Sequence, residues 1–178
     1  MSDRTGSKQN RATLRVRAGA VSTLIASAAV LSASLLAPAT GSAVPLGSTE
    51  SALGTGGLNP ALALAYTLAE TEAHNVGVPL SITSGYRTYE EQEQLWINGI
   101  NTYGGPDNAR RWVLPPNESS HVAGDAIDVG PISGAQWLQA NGNRWGLCRM
   151  YENEWWHFEL ATIPGGVCPA MLPDASWG

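Results

Sequence analysis

The sequence predicts an α+β fold, a small antiparallel sheet with flanking helices, on three observations. Short strand-like and helix-like segments are mixed along the chain without the regular strand-helix alternation that builds a parallel sheet. Each helix-like segment brings its own start signal, at Asn59-Pro60, at Thr88 with Glu91, and at Ser133 with Gln136. The chain has 178 residues, enough for one domain with a real core and too few for two comfortable ones. No internal repeat is visible.

Residues 1–43 read as an export signal outside that domain. Arg4, Lys8, Arg11, Arg15 and Arg17 precede a small-residue apolar run from Ala18 to Ala37, and Gly41-Ser42-Ala43 fits a small-x-Ala cleavage site, so cleavage after Ala43 is expected. The run is also about long enough to span a bilayer. An uncleaved N-terminal anchor is therefore the competing reading, and membrane association is expected only through this segment. Five of the ten Lys and Arg and one of the fifteen acids lie in residues 1–43, which leaves five cations against fourteen carboxylates, a net charge of −9. So acidic a chain, free of Lys, is unsuited to a phosphate backbone, which excludes nucleic acid as a partner.

Residues 44–57, rich in Gly, Ser and Thr, read as a flexible lead-in, and 58–178 as the folded domain. Asn59 caps the first helix, Leu62, Tyr66 and Ala69 recur at helical spacing, and Gly77 ends it. His74 falls near the C-terminus of this helix, where an imidazole suits the dipole better than a ligand role. Val78 to Ser84 alternates as a strand. Thr88 and Glu91 open a second helix expected to run through Asn98 and close at Gly99. Asn101 to Glu118 reads as a long loop forming a cleft rim, with Arg110 and Arg111 placed to meet an anionic peptide. Ser133 to Gln136 opens a short helix with Trp137 and Leu138 inward, and Gly165 to Gly178 is irregular. Cys148 and Cys168 form a single pair in an exported chain, most simply a disulfide, which closes a loop of about twenty residues and contributes roughly 3 kcal/mol by loop entropy. No CxxC spacing supports thiolate ligation of a metal.

Two stretches carry chemistry. Ser119 to Asp128, SSHVAGDAID, offers His121 and Asp128, and Glu152 to Leu160, ENEWWHFEL, offers Glu154 and His157. Two imidazoles, a carboxylate and a further acid are the inventory of a catalytic zinc site, with three ligands, one position left for water and one non-ligand acid to move its proton. On a strand, Asp128 shares a face with Ala126 and Gly124, a floor with room for an ion. His121 lies at odd spacing from Asp128, so the chain must turn around Gly124. Glu154 lies at odd spacing from His157, which puts it in the turn entering the strand of His157. Each of these residues alone reads more simply as a surface or satisfied core side chain. The joint pattern is the signal.

That pattern resembles the Ser-x-His-x-x-Gly-x-Ala-x-Asp and Glu-x-Trp-His motifs of the zinc D-alanyl-D-alanine carboxypeptidases, the VanY-like peptidoglycan peptidases. A third block, SGYRTYEEQ from Ser84 to Gln92, is similar to the Ser-Gly-Tyr-Arg segment of the family, and the three blocks fall in family order between about Ile82 and Leu160. The resemblance implies a Hedgehog/DD-peptidase-like fold and one Zn2+ held by His121, Asp128 and His157. It assigns Glu154 as general base and then acid, Arg87 as stabiliser of substrate or of the developing oxyanion, and Ser119, Tyr86 and Gln92 as substrate-binding residues. The implied partner is the stem peptide of bacterial cell wall, met outside the cytoplasm by a monomer. Trp155 stands where many relatives carry Pro, which puts the entry angle of Glu154 in question. Asp125, inside the first motif, has no role that the sequence explains.

Two competitors remain at this stage: an endopeptidase on the same metal site, for example one cutting between L-Ala and D-Glu, and a non-catalytic wall-binding module that keeps a structural zinc. Retention of Glu154 speaks against the second, because a structural site has no use for a general base.

Overall fold

The computed structural model describes residues 52–178; the predicted export signal and most of the lead-in lie outside the described residues. The first helix, α1 (Pro60–Asn75), starts as expected, with the Asn59 side chain accepting from the Ala61 N–H and Pro60 in the first turn. It buries Leu62, Tyr66, Ala69 and Ala73. His74 is tied down locally, its Nε2 2.9 Å from the Leu80 carbonyl.

Four strands make one antiparallel sheet: β1 (Ser81–Ser84), β2 (Ala126–Gly130), β3 (Leu147–Arg149) and β4 (His157–Leu160), in the order β1-β2-β4-β3. Ile127 stands opposite Phe158, and Asp128 stands opposite His157. Because successive side chains alternate faces, these two pairs point to opposite sides of the sheet. Ile127, Val129 and Phe158 pack with Leu62 and Tyr66 of α1 and with Leu138 of α5 (Ile132–Asn141) to form the core. Each large side chain so buried contributes on the order of 1.5–3 kcal/mol. The other face of the same two strands is left to Asp128 and His157.

Several expectations are corrected in detail. The first strand is shorter than predicted, because Val78 to Leu80 lead into it without pairing. The second helix, α2 (Tyr89–Tyr103), has the predicted capping box of Thr88 and Glu91 but runs past Gly99 and stops at Gly104. Gly99 serves close packing rather than termination, since a Cβ there would meet Val113 Cγ1 at 2.4 Å. The predicted loop therefore begins three residues later, at Gly104, and contains a short helical turn, α3 (Pro106–Ala109). In α5, helix begins at Ile132 with no side-chain cap, so Ser133 and Gln136 sit inside the helix and not at a capping box. The tail after β4 is irregular, as predicted, apart from a single 3-10 turn at Ala175–Trp177.

Cys148 and Cys168 are joined in a disulfide that spans 20 residues of sequence. It fixes the tail beside β3, where Tyr151 and Leu172 form a parallel bridge and the Glu152 N–H donates to the Leu172 carbonyl at 2.8 Å.

Leu138 is fully buried and distant in sequence from the chemistry-bearing motifs. Leu138→Ala is expected to lower unfolding free energy by about 2–5 kcal/mol in a urea titration with little change in slope. A loss under about 1 kcal/mol would mean that α5 does not close the core.

Candidate metal centre and substrate cleft

The metal-type site is built where β2 and β4 pair. Strand alternation turns Asp128 and His157 toward one face, and register sets them side by side. His121 arrives from a one-turn helix, α4 (Ser120–Ala123), which ends at Gly124 with φ 76°. A Cβ at Gly124 would meet the Gly57 carbonyl at 2.8 Å, so both the turn and the close approach require glycine here. Asp125, just beyond, accepts from the side chain of Asn59 at 3.2 Å and so ties this turn to the start of α1.

The hydrogen bonds on the far side of each imidazole select the atom offered to the centre. His121 Nδ1 lies 2.8 Å from the Gly85 carbonyl, which only accepts, so Nδ1 carries the proton and Nε2 faces Asp128 Oδ1 at 3.3 Å. His157 Nε2 lies 2.9 Å from Glu159 Oε1, which likewise places its proton there and turns Nδ1 toward Asp128 Oδ1 at 3.2 Å. One donor atom from each of His121, Asp128 and His157 lies within 4.8 Å of the other two, and all three residues are buried. Two imidazole nitrogens and a carboxylate oxygen, each backed by a second partner, form a donor set that fits zinc.

Charge is arranged accordingly. Burial would raise the Asp128 carboxyl, but hydrogen bonds from His121 and His157 outweigh it and hold the group well below the usual carboxylate range. For His157 burial works against the charged form, yet the Asp128 and Glu159 carboxylates push it up to about 9. Burial likewise disfavours charge on Glu159, and the His157 hydrogen bond wins, lowering it.

Glu154 occupies the turn before β4, with Oε2 3.9 Å from His157 Nδ1 and Oε1 buried without a hydrogen-bond partner. Burial pushes its carboxyl up to about 7; the neighbouring His157 opposes the rise and Asp128 adds to it. A buried acid oxygen with no partner in the protein is poised to take a proton from a small polar molecule.

Arg87 uses its whole fork: Nε donates to Ser84 Oγ at 2.9 Å, one terminal nitrogen to Gln92 Oε1 at 3.1 Å, and the other to Asp128 Oδ2 at 2.7 Å. The arginine therefore orients the Asp128 carboxylate from the side away from the imidazoles. Gln92 is itself fully engaged, its amide donating to the Leu114 carbonyl at 2.8 Å. Ser119 and Gln92 line a cleft of about 110 Å³ together with Arg87, the three metal-type residues and Glu154. Tyr86 is not brought to this cleft; its ring packs over Gly57.

The sequence reading passed over several groups that shape the site. Glu159 lies two residues beyond His157, a spacing that places it on the same strand face and was therefore readable. The Tyr151 ring lies 5.1 Å from that of His157, tilted by 34°, and Ala175 reaches the cleft from the tail; neither carries a local signal.

Glu159→Gln is expected to weaken zinc binding about 10–100-fold by chelator competition, through a weaker hold on the His157 tautomer. An unchanged affinity would separate Glu159 from the centre.

The sequence model of the VanY family, D-alanyl-D-alanine carboxypeptidase, matches residues 56–161. A D-alanyl-D-alanine carboxypeptidase of Enterococcus faecalis is 29% identical over 112 residues, which cover 49% of this chain and 42% of that protein, so the chain spans about two fifths of the relative's length. Among solved structures, a mutant of the vancomycin resistance D,D-pentapeptidase VanY from the VanB-type cassette, in complex with Zn(II), is 25% identical with a TM-score of 0.53, over 57% of this chain and 71% of that one. The LD-carboxypeptidase LdcB is 26% identical with a TM-score of 0.50, over 57% of this chain and 58% of its own. With the family's sequence model matching residues 56–161, more than half of the chain, the chain belongs to the VanY D-alanyl-D-alanine carboxypeptidase family.

Proposed function

We propose that this chain is a zinc-dependent carboxypeptidase that removes the terminal residue of a D-alanyl-D-alanine stem in bacterial cell wall. The observation that carries this reading is the meeting of His121, Asp128 and His157 within 4.8 Å, beside a Glu154 whose buried Oε1 has no partner. Membership of the VanY family supports it, as does the Zn(II) named with one structural neighbour.

His121 Nε2, Asp128 Oδ1 and His157 Nδ1 would hold one zinc ion. Zinc, when bound there, supplies Lewis acidity that makes water a nucleophile near neutral pH and polarises the scissile carbonyl. Glu154 takes the proton of the attacking water on Oε1 and delivers it to the leaving amine, a role suited to a carboxyl whose burial places it near the working pH. Arg87 keeps Asp128 aimed at the imidazoles and holds positive charge beside the carbonyl oxygen as it becomes negative. Ser119, on the cleft wall, is the proposed contact with substrate, and Gln92 acts through its hold on Arg87, while Tyr86 lies outside the cleft. A separate groove of about 440 Å³, lined by Ser81, Thr83 and Gly130, shares Asp128 and Trp156 with the cleft and offers room for the longer arm of a peptide. Residues 1–43, read as an export signal, put the enzyme with its substrate outside the cytoplasm, where it works as a monomer. No helix among the described residues is long and apolar enough to cross a membrane.

Incubated with a stem pentapeptide ending in D-alanyl-D-alanine, the zinc-loaded protein is expected to release a single D-alanine, detected by mass spectrometry. Glu154→Gln should keep its zinc and lose about 10²–10⁴-fold in kcat. An intact C-terminus with internal cleavage would contradict the carboxypeptidase reading in favour of an endopeptidase. Cleavage only of a tetrapeptide at its L,D bond would move the activity toward that named for LdcB.

A further inference from the structure

The family match ends at residue 161, but the chain does not stop shaping the cleft there. Ala175 lines one wall, and the residue before it, Asp174, is buried. Both oxygens of Asp174 are engaged. Oδ1 accepts from the Ser176 N–H at 3.0 Å and from the Ser176 hydroxyl, and Oδ2 meets Arg111 Nε at 3.2 Å. Arg111 comes from the loop between α3 and α4, whose next residue, Trp112, lines the cleft as well. Its carbonyl accepts from the Asn153 side chain at 2.8 Å, so its backbone is anchored next to Glu154. The Arg111–Asp174 pair therefore joins the loop to the disulfide-held tail next to Trp112 and Ala175, the two cleft-lining residues that adjoin it in sequence.

Only Nε of Arg111 is used. Among the described residues, nothing hydrogen-bonds or ion-pairs with its two terminal nitrogens, and 62% of its side chain is exposed. The other cations nearby are committed: Arg87 to Ser84, Gln92 and Asp128, Arg110 through both terminal nitrogens to Glu118, and Arg149 to Gln139 and three backbone carbonyls. A guanidinium fixed at Nε, with its remaining N–H groups turned to solvent, is arranged for a carboxylate. Residues 44–178 carry a net charge of −9, so an anionic peptide meets repulsion unless a cation offsets it.

We infer that Arg111, held in place by Asp174, binds a carboxylate of the substrate, and that the C-terminal tail is thereby part of the substrate site. The inference rests on the reading that this cleft takes wall peptide. The carboxylate is either the C-terminal one or a side-chain carboxylate of the stem.

The test titrates zinc-loaded full-length protein carrying Glu154→Gln, which slows turnover about 10²–10⁴-fold, with four stem pentapeptides: free acid, C-terminal amide, side-chain amide and fully amidated. Arg111→Gln is expected to weaken binding of the free acid about fivefold to tenfold and to leave the fully amidated peptide unaffected. The singly amidated peptide that also becomes insensitive identifies the bound carboxylate. Asp174→Asn, which keeps the guanidinium but loosens it, should show the same selectivity with a smaller loss, and with Glu154 intact Arg111→Gln should raise KM and spare kcat. Equal binding by the parent and Arg111→Gln, a loss that persists with every carboxylate amidated, or no binding of the free acid at all would overturn the inference. Carboxylate-selective binding by a parent that never hydrolyses the peptide would uphold it and overturn the proposed activity instead.

Discussion

The Asp128 carboxylate is the point on which the structure turns. It is buried on a strand interior, where an uncompensated charge costs several kcal/mol, and three groups from three separate segments answer it: His121, His157 and Arg87. Satisfying that one side chain requires β2 to pair with β4 in the observed register, α4 to end at Gly124, and the Arg87 fork to be filled at Ser84 and Gln92. The opposite face of the same strands supplies Ile127, Val129 and Phe158 to the core. Packing and chemistry are thus two sides of one strand pair, and the core sets the distances between the donor atoms.

This division explains what could be read from the sequence. Helix starts depend on one or two side chains bonding their own backbone, so Asn59 and Thr88 announced α1 and α2 correctly. Strand alternation put Asp128 over small residues, and the odd spacing from His121 demanded the turn that Gly124 makes. The endings were harder, because they depend on distant partners. Gly99 looks like a stop signal in isolation, but its missing side chain makes room for Val113. Ser133 and Gln136 have the spacing of a capping box, yet the helix had already begun one residue earlier at Ile132.

The site shows the same limit. The resemblance of the two motifs to those of the family implied that His121, Asp128 and His157 converge, and they do. Arg87 binds Ser84 and Gln92 within one short block, three and five residues away, whereas the pairing of Arg111 with Asp174 joins segments far apart in the chain, for which no local pattern exists. The disulfide connects the two scales. Its cysteines were readable as a pair, and by pinning residue 168 it brings Ala175 to the cleft, which no pattern in the tail itself announces.

The account stands or falls on the donor set, and the most direct measurement is anomalous diffraction at the zinc edge from crystals of the metal-loaded protein. A single peak is predicted, bonded to His121 Nε2, Asp128 Oδ1 and His157 Nδ1, with Glu154 beside it but unbonded. A peak coordinated elsewhere, or none at these three atoms despite bound zinc, would contradict it.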